Sequence, residues 1–197
     1  NPMLGTRGVR LGITIPGLYE MQTQAIFEAA CLCAADGVKV IPEVMIPLIG
    51  TVEEYRILAK RIRAVADMAL KHGYQLCTHA IGDRAIDFTL DSYDRALADT
   101  PTPGLRHGII HCNLPTEHAL DLMVKLQRDF DTGYPEVQPA FLWWIGDVYV
   151  GNFGPDRSLC VLPLRTFEER GILWAGASDW DVSPYAPRHA FWAASAP

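Results

Sequence analysis

Hydrophobic positions along this chain fall into two alternating patterns. Longer stretches carry apolar residues at three- and four-residue spacing, which predicts helices, and short continuous apolar runs between them predict buried strands. In the first third, helices are predicted over residues 20–36, which end at Gly37, and over residues 51–71, where the Thr51 hydroxyl can cap the first turn. The β-branched run at residues 38–47 predicts a strand between them.

The same alternation continues to the C-terminus, apart from a stretch rich in Trp and Gly at residues 141–160, which is predicted to be irregular. Further strands are predicted over residues 74–80, 105–112, 132–138 and 172–178. Further helices are predicted over residues 83–98, 116–130, 163–170 and 187–194. Strands that alternate with helices form parallel βαβ units.

Polar side chains follow four of these strands, at His79, His111, Gln138 and Asp179. The carboxyl ends of successive strands carry the chemistry of βα barrels, whereas an open doubly wound sheet uses one switch point. We therefore predict an α/β fold of TIM-barrel type. Five predicted strands fall short of the eight that close such a barrel, so the barrel is partial or chimeric. Unpaired sheet edges need partners, which favours a homo-oligomer.

The composition of the chain limits the kinds of partner and the cellular location that we expect. The formal net charge is −6 and no Lys/Arg run occurs, which argues against nucleic acid and anionic membranes. No apolar run is long enough to span a bilayer, and the N-terminal residues do not resemble a signal peptide. The five cysteines are odd in number and lie mostly in apolar runs, which indicates reduced thiols and a cytoplasmic protein.

The side chains of His79, His111 and Asp179 suit a divalent metal, above all Zn²⁺. A catalytic zinc keeps a position for water and lowers its pKa, and such a water attacks the carbonyl of a small-molecule amide or ester. Asp179 could bind the metal, act as the general base, or do both in turn. A single His at a strand end is more often a core or hydrogen-bonding residue, so spacing alone is weak support.

The segment that starts His79-Ala-Ile-Gly-Asp-Arg84 resembles a signature of the amidohydrolase superfamily, closest to the branch of N-substituted formamide deformylases. Arg106-His-Gly-Ile-Ile-His111, Val137-Gln-Pro-Ala-Phe141 and Ala177-Ser-Asp179-Trp180 are similar to later motifs of that branch, from about Met68 to the C-terminus. The resemblance implies a hydrolase of C–N bonds. It assigns His79 and His111 as the fifth- and sixth-strand metal ligands, and Asp179 as the eighth-strand ligand that shuttles the proton.

The chain departs from that family at several points. Ile110 stands where relatives usually have Glu, and Asp181 stands where they usually have Pro. The His-x-His pair of the family's first strand is absent from the sequence, and Lys39 does not have the flanks of the family's bridging lysine. The first half of the metal site is therefore missing from this sequence.

Other residues near these motifs have supporting roles in the prediction. Asp83 and His107 are expected around the metal ligands, with a helix cap as the alternative for Asp83. Gln138, Trp143 and Trp144 are expected to contact substrate, and the alternative for the two tryptophans is a hydrophobic plug against the barrel.

Residues 1–67 carry a second resemblance. Asn1-Pro-Met-Leu-Gly-Thr-Arg7-Gly, the segment from Arg10, Glu20-Met-Gln-Thr-Gln-Ala and Val40-Ile-Pro-Glu-Val-Met-Ile-Pro are similar to the C-terminal barrel of pyruvate phosphate dikinases. The resemblance implies that Arg7, with Arg10 nearby, contacts the phosphate of phosphoenolpyruvate, with Mg²⁺ as cofactor; a surface arginine is the plain alternative. Together the two resemblances suggest a chimera of residues 1–67 and 68–197 within one α/β domain, and an inactive scaffold is the remaining alternative.

Overall fold

The computed structural model describes residues 4–40, 47, 48, 51, 53, 54, 57, 75–180, 182–184 and 186–195. Helices and strands alternate from residue 75 onward, as the sequence predicts. In chain order the elements are α1 (Val9–Thr14), α2 (Leu18–Ala35), β1 (Cys77–Ala80), α3 (Asp83–Asp99), β2 (Gly108–His111), α4 (Glu117–Phe130), β3 (Tyr134–Val137), α5 (Ala140–Phe153), α6 (Pro155–Ser158), α7 (Leu164–Glu169), β4 (Ala175–Gly176) and α8 (Pro187–Ser195).

The four described strands form one parallel sheet in the order β1-β2-β3-β4. One row of register partners runs through His79, Ile110, Glu136 and Ala175. Each strand is followed by at least one helix before its neighbour begins. This confirms the α/β prediction, and the sequential parallel order is that of one side of a βα barrel.

Helices α3 and α4 pack side by side over one face of the sheet. The Thr116 hydroxyl accepts a hydrogen bond from the amide of Ala119 at 3.0 Å, which caps α4 as predicted. The same hydroxyl donates to Asp87 of α3, and Lys125 of α4 lies 2.5 Å from Asp94 of α3. These polar contacts fix the rotation of each helix, so that the apolar faces meet.

The hydrophobic core lies between these helices and the sheet. Ile109 and Val137 of the strands are fully buried, as are Ile86 and Leu90 of α3 and Met123 of α4. The connected core draws its buried residues from Leu76 to Ile172. Within the described residues no helix is long and apolar enough to cross a membrane.

Two segments differ from the sequence prediction. The stretch 141–160, predicted to be irregular, is mostly helical, because Gly146 and Gly151 fit within α5 and the helix bends at Ile145 instead of ending there. The predicted strand 38–47 is not seen: residues 38–40 have no regular structure, and residues 41–46 lie outside the described residues. Most of the predicted helix 51–71 lies outside them as well.

Candidate metal centre

Four polar side chains lie at the carboxyl edge of the sheet. His79 is in β1 and His111 is the last residue of β2. Gln138 follows β3 directly, and Asp179 comes three residues after β4. Since the strands are parallel and neighbouring, this edge gathers side chains that are 100 residues apart in sequence.

His79 and His111 are in direct ring contact. Their centroids are 4.5 Å apart, with planes at 84°. In a regular strand these two rings would face opposite sides of the sheet, because His79 is the register partner of Ile110 and alternate residues face opposite ways. His111 instead has φ 75°, which takes it out of strand geometry and allows its ring to meet that of His79.

Left-handed backbone conformations are concentrated at this edge. Seven non-glycine residues of the described chain have positive φ, and three of them are His111, Cys112 and Asp179. Such conformations cost free energy for residues with a Cβ, and they persist where the surrounding fold enforces them, commonly at functional sites. Two of the three side chains expected to bind metal are therefore held in uncommon backbone geometry.

Gln138 fixes the orientation of the His111 ring. Its Oε1 lies 2.6 Å from Nδ1 of His111, and its amide nitrogen donates to the carbonyl oxygen of Glu136 at 3.1 Å. The glutamine oxygen is thus the acceptor, and Nδ1 of His111 is the donor. Nε2 of the neutral ring then carries a lone pair, and it lies 4.0 Å from Oδ2 of Asp179.

Both imidazoles are neutral at physiological pH. Burial, together with a smaller effect of the neighbouring His111, lowers the pKa of His79 to about 4. Burial also lowers the pKa of His111, while the Gln138 hydrogen bond and the Asp179 charge oppose that shift. Neutral imidazole is the form that binds a metal.

The chemistry of these donors, imidazole nitrogens and a carboxylate oxygen, suits a divalent ion. Two ligands of a tetrahedral zinc ion lie about 3.4 Å apart, so His111 and Asp179, separated by 4.0 Å, would have to approach each other slightly to share one ion. A bare nitrogen lone pair that faces a carboxylate oxygen also favours a cation between them. In the described residues, however, no three His, Cys, Asp or Glu side chains converge on one point. His79 lies beside the pair without completing a third ligand.

The observed contacts of His107 and Asp83 are to residues other than the three candidate ligands. His107 lies before the start of β2, four residues from His111, where its Nδ1 accepts a hydrogen bond from the amide of Leu76 at 2.9 Å. It is buried against the ring of Tyr93, and burial lowers its pKa to about 4. Asp83 is the first residue of α3, and its carboxylate forms an ion pair with Arg157 at 2.5 Å.

The three residues expected to contact substrate do not lie together in the structure. Gln138 is 1% exposed and lies behind His111, so its contact in this structure is to the histidine. Trp143 and Trp144 lie on α5, more than half exposed, and Trp143 packs against Trp192 of α8.

Phe141 is a site residue that sequence reasoning missed. Its ring stacks on His111 with a centroid distance of 5.9 Å, and the side chain is buried. The sequence feature that could have identified Phe141 is its position three residues after Gln138, at the start of the segment that follows the strand.

The two arginines that the dikinase resemblance assigns to phosphate binding lie in the N-terminal part of the chain. Arg7 is exposed, whereas Arg10 forms an ion pair with Glu54 at 2.6 Å, with both side chains mostly buried. The Arg10 guanidinium is thus already neutralised by a carboxylate.

A sequence model of the amidohydrolase family matches residues 33–196, most of the chain. The chain belongs to the amidohydrolase family. The match begins within the segment that resembles the dikinases, earlier than the residue-68 start suggested by the motifs. His79, His111 and Asp179 all lie within the matched region.

Two solved structures share the fold. One is an uncharacterized metal-dependent hydrolase from Pyrococcus furiosus, at 23% identity and a TM-score of 0.55, with 75% of this chain and 27% of that one covered. The other, from Pyrococcus horikoshii OT3, has the same identity and TM-score, with 68% and 25% covered. This chain therefore spans about a quarter of each structure.

Part of the chain is similar to curated dikinases. Pyruvate, phosphate dikinase 2 of Oryza sativa is 49% identical over 82 residues, which is 42% of this chain. The chloroplastic enzyme of Flaveria trinervia is 58% identical over 66 residues, which is 34% of this chain. The chain spans less than a tenth of the length of either relative.

Proposed function

We propose that this chain carries the second half of the active site of a metal-dependent hydrolase that cleaves C–N bonds of small amides or formamides. The observation that carries the proposal is the His111 geometry. Gln138 holds the proton on Nδ1, so that the bare Nε2 faces Asp179 at 4.0 Å, with the His79 ring in contact.

Each residue has a distinct role in this proposal. His111 and Asp179 hold the ion, which we propose is Zn²⁺, and His79 approaches as the third ligand. When bound, the metal supplies a polarised carbonyl and a water of lowered pKa. With the ion held there, Asp179 would also be the carboxylate placed to accept a proton from the attacking water and to return it to the leaving nitrogen. Phe141 keeps bulk water from the His111 face.

Zinc titration by calorimetry tests the ligand assignment. We expect one binding event in the wild type, and affinity lowered by at least about 10-fold in His111→Ala and Asp179→Asn. His118→Ala is the matched control, because the His118 side chain is exposed on α4 and pairs with Asp91. The same set is assayed against a panel of formamides and amides. Unchanged zinc affinity in both ligand variants would remove the proposal.

A second candidate is phosphoenolpyruvate or pyruvate binding by the N-terminal part, as in a phosphotransferase fragment with Mg²⁺. It is favoured by the 58% identity to a dikinase over 66 residues. Arg7 is the residue to test, because Arg10 is paired with Glu54. Titration of phosphoenolpyruvate with Mg²⁺ into wild type and Arg7→Ala decides it, and equal or absent binding in both excludes the idea.

The two similarities also support a chimeric origin, with residues 1–67 from a dikinase-type barrel and 68–197 from an amidohydrolase. We also propose a cytoplasmic location, because the chain has an odd number of cysteines, mostly in apolar runs. An inactive scaffold is the third alternative. Amide hydrolysis that a chelator abolishes and zinc restores would exclude the scaffold.

A further inference from the structure

The connection between β3 and β4 is longer than a strand crossover requires. It carries the three helices α5, α6 and α7, whereas the two connections before it carry one helix each. Helix α7 provides the packing of an ordinary crossover, because Phe167 is fully buried in the core and Ile172 just after the helix is buried as well. By contrast, only Ala140 and Phe141 are buried in α5, and no residue is buried in α6. Residues 140–158 therefore contribute little to the core.

Contacts place this segment along the carboxyl edge of the sheet. It begins after β3, where Phe141 stacks on His111 at the end of β2. Further along α5, the hydroxyl of Tyr149 accepts a hydrogen bond from the side-chain amide of Asn113 at 3.2 Å. Asn113 lies two residues beyond His111, so α5 meets the end of β2 at two places.

The far end of the segment reaches the end of β1. Arg157 of α6 forms its ion pair with Asp83 at 2.5 Å, and its guanidinium lies 5.8 Å from the ring centre of Phe153. Asp83 begins α3, three residues after β1, which carries His79. The segment thus runs from the end of β3, past the end of β2, to the end of β1, along the edge where the candidate ligands lie.

We propose that residues 140–158 form a lid over the candidate metal centre, and that the ion pair of Arg157 with Asp83 is the latch that holds the lid closed. Opening of the lid admits metal and substrate to the site. This control of access rests on the proposed metal-dependent function, whereas the movement of the lid does not.

Two features make the closed state easy to leave. The latch side chains are 54% exposed for Arg157 and 44% exposed for Asp83, and an ion pair in such a setting contributes little free energy and is screened by salt. In addition, Oδ1 of Asn113 is buried without a hydrogen-bond partner in the described part of the chain. A buried acceptor without a partner costs free energy, which water relieves when the lid opens.

The backbone of the lid has two positions that can act as hinges. Gly154 joins α5 to α6 with φ 78° and ψ 165°, a conformation open essentially to glycine alone. Ile145 interrupts α5 with φ −133° and ψ 16°. A change at Gly154 moves α6 alone, and a change at Ile145 moves the later part of α5 with it. Phe141 precedes both hinges and stays on His111.

Hydrogen exchange followed by mass spectrometry tests the latch without reference to metal. We compare the metal-free full chain with Asp83→Asn and Arg157→Gln, which keep polar side chains. Amide exchange in residues 140–158 is expected to become about two- to five-fold faster in each variant, and no faster still in the double variant, because both changes remove one interaction. Arg165→Gln is the matched control, since it removes an exposed ion pair with Glu169 inside α7.

Faster exchange that is confined to the lid, absent from Arg165→Gln and non-additive in the double variant supports the latch. Unchanged exchange in the lid, or an equal increase throughout α3 and α4, overturns it. If a variant fails to fold, the wild type at about 0.05 M and about 0.5 M salt decides the question. Exchange in the lid then increases with salt relative to α4 if the latch holds the lid, and a constant ratio overturns the proposal.

Zinc release tests the control of access. Transfer of zinc to a chromophoric chelator is expected to accelerate in Asp83→Asn and Arg157→Gln by about the same factor as amide exchange. The equilibrium affinity for zinc stays unchanged, because neither residue binds the ion. A lid that moves faster without faster zinc release overturns the access role. Absent zinc binding in the wild type overturns the proposed function instead, and the exchange result on the lid stands.

Discussion

The side chain of Gln138 shows how one hydrogen bond can select the chemistry of a neighbour. It accepts from Nδ1 of His111 and is itself held through its amide by the Glu136 carbonyl. A fixed acceptor on one ring nitrogen selects the tautomer, and with it the nitrogen that faces the site. Gln138 is therefore a positioning residue in this structure.

Replacement of Gln138 by Leu is expected to lower zinc affinity by about 10- to 100-fold, because the His111 ring loses its fixed tautomer and orientation. Gln138→Glu is the control, since a carboxylate keeps an acceptor oxygen at the same place. Competition with a chromophoric chelator measures both affinities. Equal losses in the two variants would contradict a role through hydrogen-bond acceptance.

A second residue-scale prediction concerns His107 and pH. Its pKa is about 4 in the folded chain and about 6.5 when unfolded, so the unfolded state binds the extra proton between these values. Its contribution to stability is fully present above pH 6.5 and is lost as pH falls toward 4, at a cost of about 3 kcal/mol. Urea unfolding between pH 7 and 4 checks this.

His107→Gln keeps an acceptor for the amide of Leu76 and removes the titration. We expect a shallower fall in the free energy of unfolding with acid for this variant, while the buried His79 and His111 maintain part of the slope. Parallel pH profiles for wild type and variant would contradict the assignment.

At the scale of elements, the pair of α3 and α4 is stabilised at the start of α4. The Thr116 hydroxyl caps that helix and donates to Asp87 of the neighbouring one, so a single oxygen connects both. Thr116→Ala is expected to lower the free energy of unfolding by about 1 kcal/mol, whereas Thr116→Ser retains most of it. Denaturant titration of both variants gives the comparison, and equal stability of Ala and Ser would contradict it.

Elements with clear end signals were predicted well from sequence. The Thr116 cap and the helical spacing of α4 gave its bounds to within a residue, and α3 was placed equally well. α5 was missed because its apolar residues surround the helix and leave Trp143 and Trp144 exposed, so no periodic stripe marks it. β4 was overestimated, since an apolar run does not show where the ladder hydrogen bonds stop.

The positions of the candidate ligands on the strands were predictable from sequence, but their geometry was not. Sequence placed His79, His111 and Asp179 at strand ends, where the structure has them. It could not show that His111 leaves strand geometry at φ 75° or that Gln138 turns toward it, because both depend on contacts between strands.

At the scale of the whole molecule, zinc should raise the melting temperature of the folded chain. An ion that binds the folded state but not the unfolded one stabilises the fold by mass action, by about 2.7 kcal/mol at about 100 times the dissociation constant. We expect this rise in the wild type and in His118→Ala, and its loss in Asp179→Asn. Calorimetry with and without zinc is the measurement, and equal shifts in all three proteins would contradict the proposed site.

The strand order β1-β2-β3-β4 has a consequence for synthesis on the ribosome. Each strand pairs with the one made just before it, so the sheet can grow by one strand at a time while the chain emerges, without waiting for distant segments. Asp179 emerges last of the candidate ligands, followed by α8. A nascent chain thus presents the two histidines first, and the site acquires its negative charge only near the end of this segment.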